Sequence, residues 1–102
     1  MSFTLHAKKG LTRCSVDEAV RGEPLHFHIS EVAAGQASHA PHEHDGTEAI
    51  YLLAGEATLT IGDETLLLQA GESVIFDPRR LHGLTNTGTI TNRYMVIIGR
   101  SA

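Results

Sequence analysis

Apolar and polar residues alternate along much of this chain with a period of two. Leu25-His26-Phe27-His28-Ile29 and Ala57-Thr58-Leu59-Thr60-Ile61 both alternate cleanly, as a strand does when one face is buried and the other is wet. After Ile61, Gly62-Asp63 supplies a tight two-residue hairpin turn into Glu64 to Gln69. Ala49 to Ala54 is an apolar run closed by Gly55, and Gly71-Glu72 turns the chain into Val74-Ile75-Phe76 and the Asp77-Pro78 break. Leu81 to Leu84 forms a short strand, Asn86-Thr87-Gly88 a turn, and Thr89 to Ile98 a long final strand. The first two dozen residues hold Gly10, Gly22 and Pro24, show weak periodicity, and read as a short strand or arm followed by loop. No segment combines helical periodicity with adequate length. Many short strands between turn signals predict an all-β sandwich or barrel.

Two strands depart from simple alternation. Glu48, Ile50 and Leu52 share one face of the strand from Glu48 to Ala54, yet Ala49, Tyr51 and Leu53 on the other face are apolar too. Tyr94-Met95-Val96-Ile97-Ile98 is likewise apolar on both sides. A half-exposed antiparallel strand is polar on its wet side, so the outer faces need a cover, either the N-terminal arm or a second subunit.

Composition narrows the class. A chain of 102 residues makes one domain and buries roughly 65% of its unfolded surface, enough for one modest core. A hydrophobic fraction of 41% with 20% charged residues is ordinary for a globular protein. The net charge of −4 argues against nucleic acid or an anionic membrane as the main partner. No apolar run reaches spanning length and no signal-peptide h-region is present. The single Cys14 makes no internal disulfide, has no identifiable activating neighbour, and fits a reducing cytoplasm.

Seven histidines are the compositional anomaly, and His39, His42 and His44 fall close together. His42 and His44 are one residue apart, so on an extended segment both imidazoles project from the same side. Glu48 follows a short Asp-Gly-Thr bend, and His82 lies far along the chain. Two imidazoles and a carboxylate so spaced can converge on one divalent cation; such donors suit Zn, Fe, Mn, Ni or Cu alike.

Gly35, His42, His44, Glu48 and Gly55, followed by Gly71, Pro78, His82 and Asn86, resemble the two motifs of the cupin superfamily in order and at near-family spacing. One extra residue separates Gly35 from His42, Pro78 sits one place late, and Arg80 stands where a glycine is expected. The resemblance spans about Pro24 to Ile98 and implies a single-domain antiparallel jelly-roll β-barrel, with residues 1–23 as an N-terminal arm and 24–98 as the barrel. It also implies one divalent transition metal per chain, held by His42, His44, Glu48 and His82. In an octahedral site two positions would stay open to water, substrate or dioxygen. Small cupins commonly dimerise by packing sheets, which agrees with the two-faced apolar strands and predicts a homodimer. Cupins with this ligand set include dioxygenases, isomerases and lyases acting on small polar molecules; the competing class is a non-catalytic module that binds or senses a small molecule or metal.

The remaining polar residues divide more evenly. His26 and His28 share a face opposite Leu25, Phe27 and Ile29. Three large apolar residues claim the interior, which would put both histidines outside; if their face lined the cavity, they would be candidate general acids or bases. His39 is expected as a loop histidine, with a spare-ligand role as the alternative. Arg80, two before His82, would point the same way on an extended segment and, with Arg79, hold a substrate carboxylate bidentately; a solvated turn after Asp77-Pro78 is the equal alternative. Tyr51 and Tyr94 are expected to pack, and Glu43 and Asp45 to face solvent.

Overall fold

The computed structural model describes residues 2–8, 11–17 and 25–100. Nine strands are present among them: β1 (Ser2–Lys8), β2 (Leu11–Asp17), β3 (Leu25–Val32), β4 (Thr47–Ala54), β5 (Glu56–Ile61), β6 (Glu64–Gln69), β7 (Ser73–Phe76), β8 (His82–Thr85) and β9 (Asn92–Gly99). They form a six-stranded sheet in the order β1-β2-β3-β9-β4-β7 and a three-stranded sheet in the order β6-β5-β8, with every strand pairing antiparallel. No helix is present among the described residues, and none long and apolar enough to cross a membrane. Where a short strand or arm followed by loop is expected, β1 supplies the strand and β2 a second one, antiparallel to it, that pairs onto β3. The loop readings of Gly10, Gly22 and Pro24, and that of the Cys14 thiol, lie outside the described residues.

The core is shared by both sheets. Val32, Ile50, Leu52, Tyr94, Val96 and Ile98 come from the larger sheet, and Ala57, Leu59, Ile61, Leu68 and Leu84 from the smaller. Period-two burial along β5, where Ala57, Leu59 and Ile61 alternate with wetter residues, follows the sequence alternation directly. The long connection after β3 is pinned to β8 by isolated bridges, Ala37 to Thr85 and His42 to His82. Two buried asparagines hold the connections at the other end. Asn86 Nδ2 donates to the Val32 and Ile90 carbonyls, both at 2.8 Å. Asn92 Oδ1 accepts from Val32 N at 3.2 Å, and its Nδ2 donates to the Glu56 carbonyl at 3.0 Å. Because Asn86 claims the Ile90 carbonyl, residues 89–91 stay out of the ladder, and the last strand begins at Asn92 rather than at Thr89.

The larger sheet has two unlike faces. Inward, register aligns His26, Ile98, Glu48 and Phe76 in one row and His28, Val96, Ile50 and Val74 in the next. Outward, Phe27, Ile97, Ala49 and Ile75 line up, beside Ile29, Met95 and Tyr51. The expectation that Leu25, Phe27 and Ile29 claim the interior is therefore reversed: Leu25 is 57% and Phe27 40% exposed, while Ser30 and Val32, in phase with the histidines, are buried. Alternation fixes which residues share a face but not which face turns inward. The burial of Val32 at the strand's far end decides it.

Candidate metal centre

His42, His44 and His82 converge from two places. The first two sit on the β3–β4 connection, which bridges β8 through reciprocal His42 N to His82 O and His82 N to His42 O hydrogen bonds of 3.0 and 2.9 Å. That local pairing is why residues so distant in sequence meet. One ring nitrogen from each of the three histidines lies within 4.8 Å of the other two. Glu48, buried at the start of β4, brings Oε1 to 2.9 Å from His44 Nε2 and 3.4 Å from His82 Nε2. All four side chains line one cavity of about 300 Å³ between the sheets.

The outer nitrogens set the tautomers. His44 Nδ1 is 2.9 Å from the Asp45 carbonyl and His82 Nδ1 is 2.9 Å from the Arg80 carbonyl. A carbonyl only accepts, so each ring carries a proton on Nδ1 and turns Nε2 inward, the arrangement typical of metal-binding histidines. His44 Nε2 shares a hydrogen bond with Glu48 Oε1, whereas His82 Nε2 has none among the described residues. His42 Nδ1 lies 3.1 Å from His39 Nδ1. His82 is buried, with Phe76 edge-on at 5.0 Å between centroids. Its Nε2 has no hydrogen-bond partner among the described residues, although buried nitrogens ordinarily have one. A bare, buried nitrogen beside two other imidazoles and a carboxylate is a donor set that fits a divalent cation. Burial, followed by the neighbouring His39, His82 and His44, holds His42 below the usual imidazole range, which favours the neutral, ligating form.

The other candidates are placed as follows. His28 lines the same cavity and His26 Nε2 lies 2.6 Å from His28 Nδ1, so the pair turns inward rather than lying on an outer polar face. His39 is an exposed loop residue, as expected, but its ring lies tilted against His42 at 4.1 Å between centroids and reaches the cavity wall. Arg80 is not brought to the cavity. Residues 78–80 form a turn closed by Arg80 N to Asp77 O at 3.2 Å, so the segment is not extended and alternation with His82 does not apply. Instead the Arg80 guanidinium lies over the β5–β6 hairpin, donating to Glu64 Oε2 at 2.9 Å and the Ile61 carbonyl at 3.2 Å. Gly62 at that turn has φ +60°, and a Cβ there would stand 2.9 Å from Arg80 Nη2. Arg79 is tied to Asp77 at 2.9 Å, and its hydrogen bonds hold that carboxyl below the usual range. Tyr94 is buried in the core; Tyr51 is on the outer face, 38% exposed. Sequence reasoning missed Arg100, which follows β9 and lines the cavity. Only its place one residue beyond a long strand signalled it.

The cupin domain family model matches residues 28–98. No curated protein matches the sequence. Among solved structures, an RmlC-like cupin from Shewanella frigidimarina superposes with a TM-score of 0.80 at 17% identity, covering 97% of this chain and 85% of that one. A predicted oxalate decarboxylase from Thermotoga maritima gives 0.78 at 19%, with 89% and 81% covered. The cupin domain of an XRE-family transcriptional regulator from Enterobacter cloacae also gives 0.78, at 18%, with 91% and 99% covered. At such identities these likenesses speak to the fold.

Proposed function

The chain belongs to the cupin domain family, and on that footing we propose that it holds one divalent transition metal through His42, His44, Glu48 and His82 and acts on a small, carboxylate-bearing molecule. The chemistry is of dioxygenase, isomerase or lyase type. The observation that carries this reading is the buried, unsatisfied His82 Nε2 beside the other two histidines. Three neutral imidazoles and one carboxylate leave a divalent ion with net positive charge, and when bound it would polarise a coordinated oxygen or lower the pKa of a bound water. The protein's part is to fix the donors through the Asp45 and Arg80 carbonyls and to keep bulk water off His82 with Phe76. His28 on the wall is the candidate to take or return a proton, with His26 beside it. Elemental analysis of freshly purified protein should give about one equivalent of transition metal per chain. Absence of metal after growth in a range of metal salts would sink the reading.

A second reading, a non-catalytic binding or sensing module, draws support from the regulator's cupin domain, which shares the fold as closely as the decarboxylase does. Fold alone does not choose between them. Tight retention of a small acid without turnover would favour the sensor. In either case the proposed assembly is a homodimer formed through the outer face of the six-stranded sheet, where Phe27, Tyr51, Leu53 and Ile75 are exposed, and the proposed location is the cytoplasm.

A further inference from the structure

We propose that Arg100 makes the cavity selective for substrates with a second anionic group, so that one end of a small diacid meets the metal and the other the Arg100 guanidinium. This rests on the metal-site reading above. Of the four arginines whose side chains are described, Arg100 lines the metal cavity, and the other three are engaged elsewhere: Arg79 with Asp77, Arg80 with Glu64 and Arg93 with Glu31. Arg100 also lines a neighbouring open cleft of about 480 Å³, shared with Asp45, Gly46, Thr47 and Arg79. It therefore stands between the inner site and the outside.

Its own partner is weak. Nε reaches Asp45 Oδ1 at 3.3 Å, and that carboxylate is 78% exposed, so the contact is a single hydrogen bond in water. Among the described residues no bond engages the two terminal nitrogens of Arg100, and they offer the parallel donors that a carboxylate accepts bidentately. The stem is held in place by close backbone approach. Gly46 has φ +103°, and a Cβ there would lie 2.5 Å from the Gly99 carbonyl and 3.2 Å from Arg100 Cγ. Only glycine permits this bend to seat Arg100 at the rim. Asp45 then acts as an internal competitor that an incoming carboxylate displaces. The cavity, at about 300 Å³, lies at the small end of ligand sites, which restricts the diacid to a short one.

The test is calorimetric titration of succinate, glutarate and their half-amides into metal-loaded wild type, Arg100→Ala, Arg100→Lys and Asp45→Asn, with metal content measured on each. Wild type should prefer at least one diacid over its half-amide by about tenfold, as expected for one charge-assisted bidentate contact. Arg100→Ala should abolish the preference with metal content unchanged, Arg100→Lys should restore part of it, and Asp45→Asn should strengthen diacid binding. If wild type carries metal but binds acid and half-amide alike, or if Arg100→Ala keeps the preference, the inference falls while the metal site stands. A wild type that holds no metal overturns the reading beneath it instead.

Discussion

The two faces of the six-stranded sheet invert the ordinary distribution of polarity along β3. Inside are His26, His28 and Ser30; outside are Leu25, Phe27 and Ile29, the first two well exposed. Along residues 48–53 of β4 and 94–98 of β9 both faces are apolar, except that Glu48 opens the inner one. A shell built to hold polar chemistry places its polar groups inward and must satisfy them there; its apolar surplus goes outward, where large patches mark interaction surfaces. The proposed chemistry therefore belongs to the inner face and the proposed dimer to the outer.

The largest effect should come from the inner side. Replacing His82 with Ala removes the buried donor, and metal affinity should fall by more than the roughly 10–100-fold that outer partners of ligands command. Circular dichroism should remain that of a β protein, because His82 contributes polar rather than core apolar burial. Full metal occupancy in His82→Ala, measured after mild chelation, would break the division of labour between the faces.

The outer face comes next. Ile75 is 72% exposed at the sheet edge and Tyr51 lies in the next row on β4. Burying such side chains at an interface contributes about 1.5–3 kcal/mol each, so Ile75→Asp and Tyr51→Asp should each weaken a dimer by roughly tenfold or more. Sedimentation at micromolar concentration should show wild type near twice the chain mass and the double variant near one. A wild type that sediments as a monomer refutes dimerisation, whatever the variants do.

Much of this was legible in the sequence. Strand alternation located β5, the Gly62-Asp63 turn led into β6, and the spacing of His42 and His44 put two imidazoles together. His82 was a distant candidate that only the family resemblance joined to the other ligands, since nothing local says that a histidine on β8 will meet a loop before β4. The direction of β3 was not legible because a period-two pattern is blind to which face is inside. Nor was the exchange of Arg80 for Arg100: a turn at residues 78–80 broke the phase on which the first assignment depended. Asn92 was missed because a buried asparagine holding backbone carbonyls looks like any loop residue in sequence.

Acid should act on the inner face before the outer. His42 is held below the usual histidine value of 6.5, chiefly by burial. A histidine whose folded pKa is depressed contributes stability that is fully present above the unfolded value and is lost as pH falls through the folded one. Metal-free protein should thus be most stable above pH 6.5 with respect to this group and lose stability on acidification below it. Metal binding requires neutral imidazoles, so affinity should decline in the same direction. Thermal melts of apo and metal-loaded protein across that window provide the check. An apo stability that rises on acidification below the histidine range would contradict the placement of His42.

The smallest effect should come from Arg80, which belongs to neither face. Its ion pair with Glu64 is short, at 2.9 Å, but the two side chains are 46% and 70% exposed, and pairs so wet contribute about 0.2–1 kcal/mol. Arg80→Ala should therefore lower stability only slightly, with part of that loss coming from the hydrogen bond to the Ile61 carbonyl. The His82 Nδ1 contact is made to the Arg80 backbone oxygen, which the substitution keeps, so metal content should not change. Diacid binding should not change either, in contrast to Arg100→Ala. The two alanine variants, titrated side by side with the same diacid, separate an arginine that stands near a ligand in sequence from one that lines its cavity in space. A loss of diacid affinity in Arg80→Ala equal to that in Arg100→Ala would show that the guanidinium leaves the hairpin to reach the ligand, and would restore the assignment that the turn at residues 78–80 displaced.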